Sequence, residues 1–356
     1  MRICIIGSGL TSLALAKALV SQNIYVDLLE DQKKYIIDQS RTIGITKSNV
    51  EYFNNNLVNI DKIIWKLNKI EIFSEKFKKE KLLKFQNNNQ ELFAIVKSFD
   101  LHKVLKKSLK GNKFLKRNNL KRLRNIENKY DLLINLNFSN LISKKYFAKK
   151  IIKKYQSLAY TVILKHEKIE NNIARQIFTR IGPLAFLPIS DVETSIVYSI
   201  KKNSNIEKEK LIELINLYNP KYKIKKINKI SSFELSSINL RNYYYKNILA
   251  FGDLLHKIHP LAGQGFNMTI RDISFLIDLI KNKISLGLPI DQSTCIEFEK
   301  KMKHRNLIFT TGVDLVYELF NFERKLNGDL LSKSIQMLGK NLSFNKILTK
   351  IADRGI

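Results

Sequence analysis

A continuous apolar run, Ile3-Cys4-Ile5-Ile6, opens the chain almost at once, and short runs of this kind are buried strands of parallel sheets. After two glycines, Leu10, Leu13, Ala14, Ala16, Leu19 and Val20 recur at helical spacing. A second apolar run over residues 24–29 follows. The opening therefore reads strand, tight turn, helix, strand, which is a βαβ start.

Further along the texture changes. Residues 158–164, 175–180, 184–189 and 194–200 are short strand-like segments divided by turn residues, the pattern of an antiparallel meander. A helix is predicted over 206–218, with more strand to about residue 240. A buried strand follows at 247–251, and helices run from about Gly265 onward. The chain leaves a nucleotide-binding domain, builds a second sheet and returns. With no internal repeat and no long linker, two interleaved domains are expected.

Composition narrows the class. At 356 residues and 44% apolar content, the chain can bury a sizeable core. No apolar run reaches the roughly 18 residues of a membrane-spanning helix. Met1 leads within one residue into the first strand, which leaves no room for a signal peptide, and the expected location is cytoplasmic. Two cysteines, Cys4 and Cys295, make neither a disulfide framework nor a multi-cysteine metal site. Redox chemistry here calls for an organic cofactor. The charge is +30, which suits an anionic surface such as a membrane. Lys, Asn and Ile are abundant throughout, so compositional bias accounts for much of it. The densest basic stretch, 103–129, has few aromatics for base stacking, and nucleic acid is disfavoured.

The candidate chemistry lies in two blocks. Gly7-Ser8-Gly9-Leu10-Thr11-Ser12 is a dinucleotide loop: Gly7 permits the turn, Gly9 lets backbone approach a pyrophosphate, and Ser12 lets helix and strand pack closely. The helix N-terminus then offers free N–H groups to phosphate. Glu30 closes the second strand, where a carboxylate accepts the hydroxyls of an adenosine ribose. The second block runs from Leu249-Ala250-Phe251-Gly252-Asp253 to Pro260-Leu261-Ala262-Gly263-Gln264-Gly265-Phe266-Asn267. Asp253 suits a sugar-alcohol chain, Gly263 and Gly265 let backbone approach a flat ring, and the next helix N-terminus favours negative charge.

This second block resembles the second flavin motif of the group A flavoprotein monooxygenases, the para-hydroxybenzoate hydroxylase superfamily. Ser40-Arg41-Thr42-Ile43-Gly44-Ile45, Ile181-Gly182-Pro183-Leu184-Ala185-Phe186-Leu187-Pro188, Arg271-Asp272 and Arg305 are similar to segments of its ubiquinone-biosynthesis branch. The resemblance implies FAD, with Gly7, Gly9, Ser12, Glu30 and Arg41 on its adenosine and pyrophosphate side. Asp253, Pro260, Gly263, Gln264, Gly265 and Asn267 would hold ribityl and isoalloxazine. It implies an α/β fold: a Rossmann-like FAD-binding domain (1–69, 98–150 and 237–290) interleaved with a mostly antiparallel-sheet substrate domain (70–97 and 151–236). A C-terminal helical region (291–356) completes it. The implied activity is hydroxylation of a polyprenylated phenol on the way to ubiquinone, with NAD(P)H as transient co-substrate and O₂ as oxidant. A hydroxylase of another small phenol and a non-catalytic, FAD-stabilised subunit of a ubiquinone-biosynthesis complex are the alternatives.

Three positions depart from the family pattern. Asn137-Phe138 stands where an Asp-Gly pair tied to pyrophosphate and nicotinamide use is expected, Thr269 replaces a glycine, and Leu254-Leu255 replaces a small pair. His256 and His259 flank Lys257 and are read as positioning groups, since two histidines do not make a metal site. No residue is assigned a catalytic role from sequence, and no metal site is expected. The C-terminal stretch 330–351 alternates leucines and isoleucines with lysines. Packing on the core, or lying at a membrane interface, accounts for that pattern.

Overall fold

The computed structural model describes residues 1–30, 38–75, 81–86, 91–119, 126, 129–202, 206–219, 221–260, 263–326, 350 and 353. Strand β1 (Arg2–Ile6) leads through a glycine turn into helix α1 (Leu10–Val20) and β2 (Tyr25–Glu30). Next come β3 (Thr42–Thr46), α2 (Lys47–Tyr52), β4 (Ile64–Leu67), β5 (Lys69–Ser74), β6 (Lys81–Gln86), β7 (Phe93–Lys97), α3 (Ser98–Ser108) and β8 (Leu115–Asn119). The middle of the chain forms β9 (Leu132–Asn135), α4 (Leu141–Tyr146), β10 (Lys150–His166), β11 (Ile173–Phe178), β12 (Pro183–Pro188), β13 (Glu193–Lys201) and α5 (Lys208–Tyr218). The last part adds β14 (Ile224–Ile227), β15 (Ser231–Leu240), β16 (Tyr244–Tyr245), β17 (Ile248–Ala250), β18 (His256–Lys257), α6 (Gln264–Ser285) and α7 (Gln292–Leu326).

The first sheet has the order β16-β17-β9-β1-β2-β8 and is parallel except at β16. Strands β1, β9 and β17 are buried on both faces, as their unbroken apolar runs predict, whereas the edge strands β8 and β16 are partly exposed. Cys4 is one of these buried residues, and burial pushes its thiol well above the ordinary range. Helix α1 carries Ala14, Ala16 and Ala18, all buried, and small residues let it approach the sheet closely. The chain moves outward from β1 to β2 and β8 on one side and to β9 and β17 on the other. That reversal opens a crevice at the carboxyl ends of β1 and β9, where doubly wound sheets bind ligands.

The second sheet has nine strands, in the order β18-β15-β10-β13-β12-β11-β5-β6 with β14 beside β10. It is antiparallel except for the β11–β5 pair, as the meander predicts. One face packs Val162, Leu164, Leu184, Phe186, Ile196 and Tyr198 against Leu211 and Ile215 of α5. Its central strand β10 begins at Lys150, well before the apolar run that announces it. The early part pairs with β15, but its lysines face solvent or carboxylates and so hide the alternation. A bulge between Lys154 and Leu158 carries Gln156 at φ +50° and re-aims the strand. A small sheet, β3-β7-β4, joins the two larger ones. Ser40 and Thr42 reach from it to Thr161 and Ser195 of the second sheet, hydroxyl to hydroxyl, at 3.1 and 2.9 Å. The stretch 330–351 lies outside the described residues except for Lys350.

Candidate functional site

The dinucleotide loop sits at the carboxyl end of β1. Gly7 has φ +154°, and a Cβ placed there would lie 2.5 Å from Ser12 Oγ and 3.2 Å from Leu136 Cβ. Only glycine fits that turn. The Gly7 amide donates to Leu29 O at 3.0 Å, fixing the loop to β2. Helix α1 starts with no side-chain cap and no acidic residue in its first turn. Its leading N–H groups are thus unclaimed by side chains, and the positive end of the helix dipole faces the crevice mouth. Ser12 is buried under the loop.

Glu30 ends β2, half-exposed, with Arg117 of β8 at 3.5 Å. His102 of α3 donates to the Ser8 carbonyl of the loop, and burial with Lys106 nearby lowers its pKa below the usual imidazole value. Neither His102 nor Arg117 carries a signal of its own in the sequence. His102 looks like one more polar position of an amphipathic helix, and Arg117 lies inside a lysine-rich run.

The second block comes to the same crevice. Gly252, at φ +61°, lies so near the loop helix that a Cβ would be 3.1 Å from Thr11 Cγ2 and 3.3 Å from Leu136 Cδ2. Leu136 is therefore a wedge shared by Gly7 and Gly252. It places the exposed Asp253 beside the start of α1. Leu254 and Leu255, where small residues were expected, are fully buried in the main core.

At the other end of the block, Gly263 caps α6 in the left-handed conformation (φ +64°). A Cβ there would be 3.5 Å from Gly44 N, so the α6 N-terminus abuts β3, and no side chain caps it. Phe93 lies over Gly44, where an added Cβ would fall 2.2 Å from its ring. Gly265 has side-chain room limited by Ile258 at 3.6 Å, and Pro260 is half-buried. Leu261 and Ala262 lie outside the described residues. Gln264 is buried, and its Oε1 has no hydrogen-bond partner. Thr269 donates to the Gly265 carbonyl at 3.3 Å, so its hydroxyl is absorbed within the helix.

Asn267 is fully buried and turned toward protein. Its amide donates to Gly44 O (3.0 Å) and Gly263 O (3.2 Å), and its carbonyl accepts from Thr46 N (3.0 Å) and Asn49 Nδ2 (2.9 Å). It staples α6 to the β3–α2 turn rather than facing the crevice. Asp353 grips the same turn from the far end of the chain, accepting from Ser48 N at 3.0 Å and Ser48 Oγ at 2.9 Å. Arg41, exposed, places its guanidinium 5.7 Å from the Phe233 ring.

The middle motif has been rebuilt. Asn135 is buried and donates to Ser143 Oγ at 2.8 Å, Asn140 donates to Asn135 Oδ1 at 2.8 Å, and Asn137 Oδ1 accepts from Ser139 N at 2.8 Å. Ser143 also donates to the Asn137 carbonyl. Neither Asn137 nor Phe138 has positive φ, so this loop has no conformational need for glycine.

The two histidines take separate places. His256 Nε2 lies 2.5 Å from Asp272 Oδ2, both buried, and Asn306 of α7 donates to Asp272 Oδ1 at 3.3 Å. His259 packs edge-on against Tyr155 (4.8 Å) and tilted against Tyr317 (4.3 Å), and burial lowers its pKa to about 3. Arg271 lies over Phe309 at 4.6 Å, with its pKa lowered to about 10 by burial. Among the described residues no group of histidine, cysteine and carboxylate side chains makes a metal cluster.

No family model matches the chain. Among curated proteins it is similar to the mitochondrial ubiquinone biosynthesis monooxygenase COQ6 of Danio rerio, 26% identical over 207 residues, 47% of this chain and 43% of that one. It is also similar to the 3-demethoxyubiquinol 3-hydroxylase of Escherichia coli, 30% identical over 154 residues, 41% of this chain and 39% of that one. The match spans less than half the length of each relative. Among solved structures, p-nitrophenol 4-monooxygenase PnpA from Pseudomonas putida superposes with a TM-score of 0.78 at 10% identity, covering 99% of this chain and 98% of that one. PqsL, a probable FAD-dependent monooxygenase from Pseudomonas aeruginosa, gives 0.74 at 13% identity over 94% and 99% of the two chains. HpxO of Klebsiella pneumoniae, solved with FAD and uric acid, gives 0.75 at 12% identity over 99% and 96%. The fold is that of these monooxygenases.

Proposed function

We propose that the chain is an FAD-dependent monooxygenase that uses NAD(P)H and O₂ to hydroxylate the ring of a polyprenylated phenol in ubiquinone biosynthesis. The observation that carries this reading is the seating of Gly252 on Thr11 and Leu136. It brings the sugar-alcohol carboxylate, Asp253, to the mouth of the dinucleotide loop. Two further features fit a flavin: an uncapped helix N-terminus at each end of the crevice, and the unpartnered, buried Gln264 Oε1 beside the second.

Gly7, Gly9 and Ser12 would hold the pyrophosphate, Glu30 and Arg41 the adenosine side, and Asp253 with Pro260, Gly263, Gln264 and Gly265 the ribityl and ring side. Bound there, the flavin supplies electron transfer from NAD(P)H and activation of O₂. The protein's own part is orientation and dryness. The α6 N-terminus stabilises negative charge on the ring side, Asn267 holds that N-terminus against β3, and Leu254, Leu255 and Phe251, all buried, keep water from the floor. The relatives named for ubiquinone biosynthesis support the substrate class, and the +30 charge supports a peripheral position on an anionic membrane, where such a substrate resides.

The rebuilt middle loop favours a second reading, in which the protein binds FAD as a non-catalytic subunit of a ubiquinone-biosynthesis complex. The test is spectroscopic. Purified protein should carry the absorbance band of oxidised flavin, and NAD(P)H should bleach it faster when a phenolic ligand is present. Protein that fails to take up added FAD overturns both readings, whereas bound flavin that NAD(P)H cannot reduce overturns the hydroxylase and leaves the subunit.

A further inference from the structure

Helix α7 has two unlike sides. Its inner side is tied down through its middle: Asn306 donates to Asp272, Thr310 donates to Asn239 Oδ1 at 3.2 Å, Tyr155 donates to Asp314, and Tyr317 packs on Tyr155. Phe309 packs with Ile258 and Met268 of the second glycine block. Its outer side exposes Ile308 (52%), Leu315 (57%) and Phe322 (62%) at seven-residue steps, flanked by Leu307 and Val316. That spacing puts all three on one stripe of the helix. A Cβ at Gly312, between them, would meet nothing within 4 Å. Because the inner side is fixed over residues 306–317, the exposure of Ile308 and Leu315 belongs to the folded helix, and Phe322 continues the same stripe.

Charge says what covers the stripe. Lys300, Lys301, His304 and Arg305 are exposed just before it. Among the described residues, three glutamates around it are paired: Glu297 with Lys283 at 2.6 Å, Glu299 with Lys303 at 2.7 Å, and Glu318 with Lys153 at 2.9 Å. Among the described residues no carboxylate pairs with Lys300, Lys301 or Arg305. A second copy of the chain would bring the same basic residues and another +30 against this face. An anionic bilayer supplies both an apolar layer for the stripe and negative headgroups for its basic end.

We propose that the outer face of α7 is a docking surface for an anionic lipid bilayer. The proposal takes up the membrane partner of the proposed function and rests on that reading for its purpose. A bilayer held there would lie one helix away from Ile258, His259 and Asp272, so an apolar-tailed substrate would enter beside the second glycine block.

The experiment uses the full chain in co-sedimentation with vesicles of phosphatidylcholine alone or of an equimolar mixture with phosphatidylglycerol. Wild-type protein should sediment with the mixed vesicles and be released by salt. The Lys301→Gln/Arg305→Gln variant should bind roughly 25-fold more weakly, about fivefold for each charge removed. Leu315→Gln/Phe322→Gln should lose binding while sedimenting alone as wild type does. Both pairs of substitutions are at exposed positions, and flavin content read on the same samples reports the fold and the FAD site. Vesicle binding without flavin would sink the FAD reading and leave this surface standing. Yellow protein that ignores the vesicles, or variants that bind as wild type does, overturns the proposal. So does a wild-type dimer that the apolar pair dissociates.

Discussion

Substituting Asn267 by Ala separates a residue that touches a cofactor from one that builds the place for it. The side chain is fully buried, and its loss strands two groups, the Gly44 carbonyl and the Thr46 amide, while Asn49 Nδ2 keeps its bond to the Asn267 main-chain carbonyl at 3.3 Å. The Gly263 carbonyl matters less, because it lies four residues back on the same helix. A buried polar group left without a partner costs about 1–3 kcal/mol. Two groups at the lower bound give a loss of about 2 kcal/mol, and water entering the vacated space keeps the figure near that bound. The assay is urea unfolding of protein stripped of flavin, so that the cofactor's own contribution is absent. Asn267→Asp should fall between, since it keeps the acceptor for Thr46 and loses the donor to Gly44. If Asn267→Ala leaves flavin-free stability within about 1 kcal/mol of wild type while flavin affinity collapses, the side chain faces the cofactor and the stapling account is wrong.

Two further outcomes follow from the geometry. At Gly7 an alanine Cβ would meet Ser12 Oγ at 2.5 Å in a strained backbone conformation, costing on the order of 1–3 kcal/mol. FAD affinity, read by quenching of flavin fluorescence, should drop at least about tenfold, and an unchanged affinity would remove the phosphate cradle. His259 is neutral in the folded protein because burial lowers its pKa to about 3, whereas the unfolded chain binds a proton near pH 6.5. Stability is therefore lost as pH falls from about 6.5 toward 3, by up to about 1.4 kcal/mol per pH unit. The His259→Gln variant should show a flatter urea midpoint between neutral pH and about pH 5; parallel curves would show that His259 is not the titrating group.

Local patterns carried much of this molecule into view. The apolar runs of β1 and β2 and the glycine loop between them are short-range signals, and so are the turn-divided segments of β12 and β13. Glycine blocks are legible because backbone conformation constrains residue type at Gly7, Gly252 and Gly263. What the chain does not advertise is contact between distant segments. Leu136 reads as an ordinary leucine after a strand, yet it sits between two glycines that flank it from opposite ends of the sequence. Asn267 reads as part of a cofactor motif, but its four partners come from residues 44–49 and 263, and only the fold reveals which way it points. The lysine-rich start of β10 hides a strand, because exposed cations carry no alternation. The basic run 103–129 concealed Arg117 among its neighbours for the same reason.

The strand order also bears on how the protein comes to exist. β1 is synthesised well before β9, which joins its flank, and β17 covers β9 only after residue 248. Through that interval β9, with Leu132, Leu133 and Ile134, presents an apolar and unpaired edge, the kind of surface on which nascent chains aggregate. The crevice mouth closes with the same late event, since Gly252 follows β17 directly. A cofactor that bridges Gly7 and Asp253 can bind only after β17 has joined the sheet, so it acts as a seal on that late pairing rather than as a template for the first.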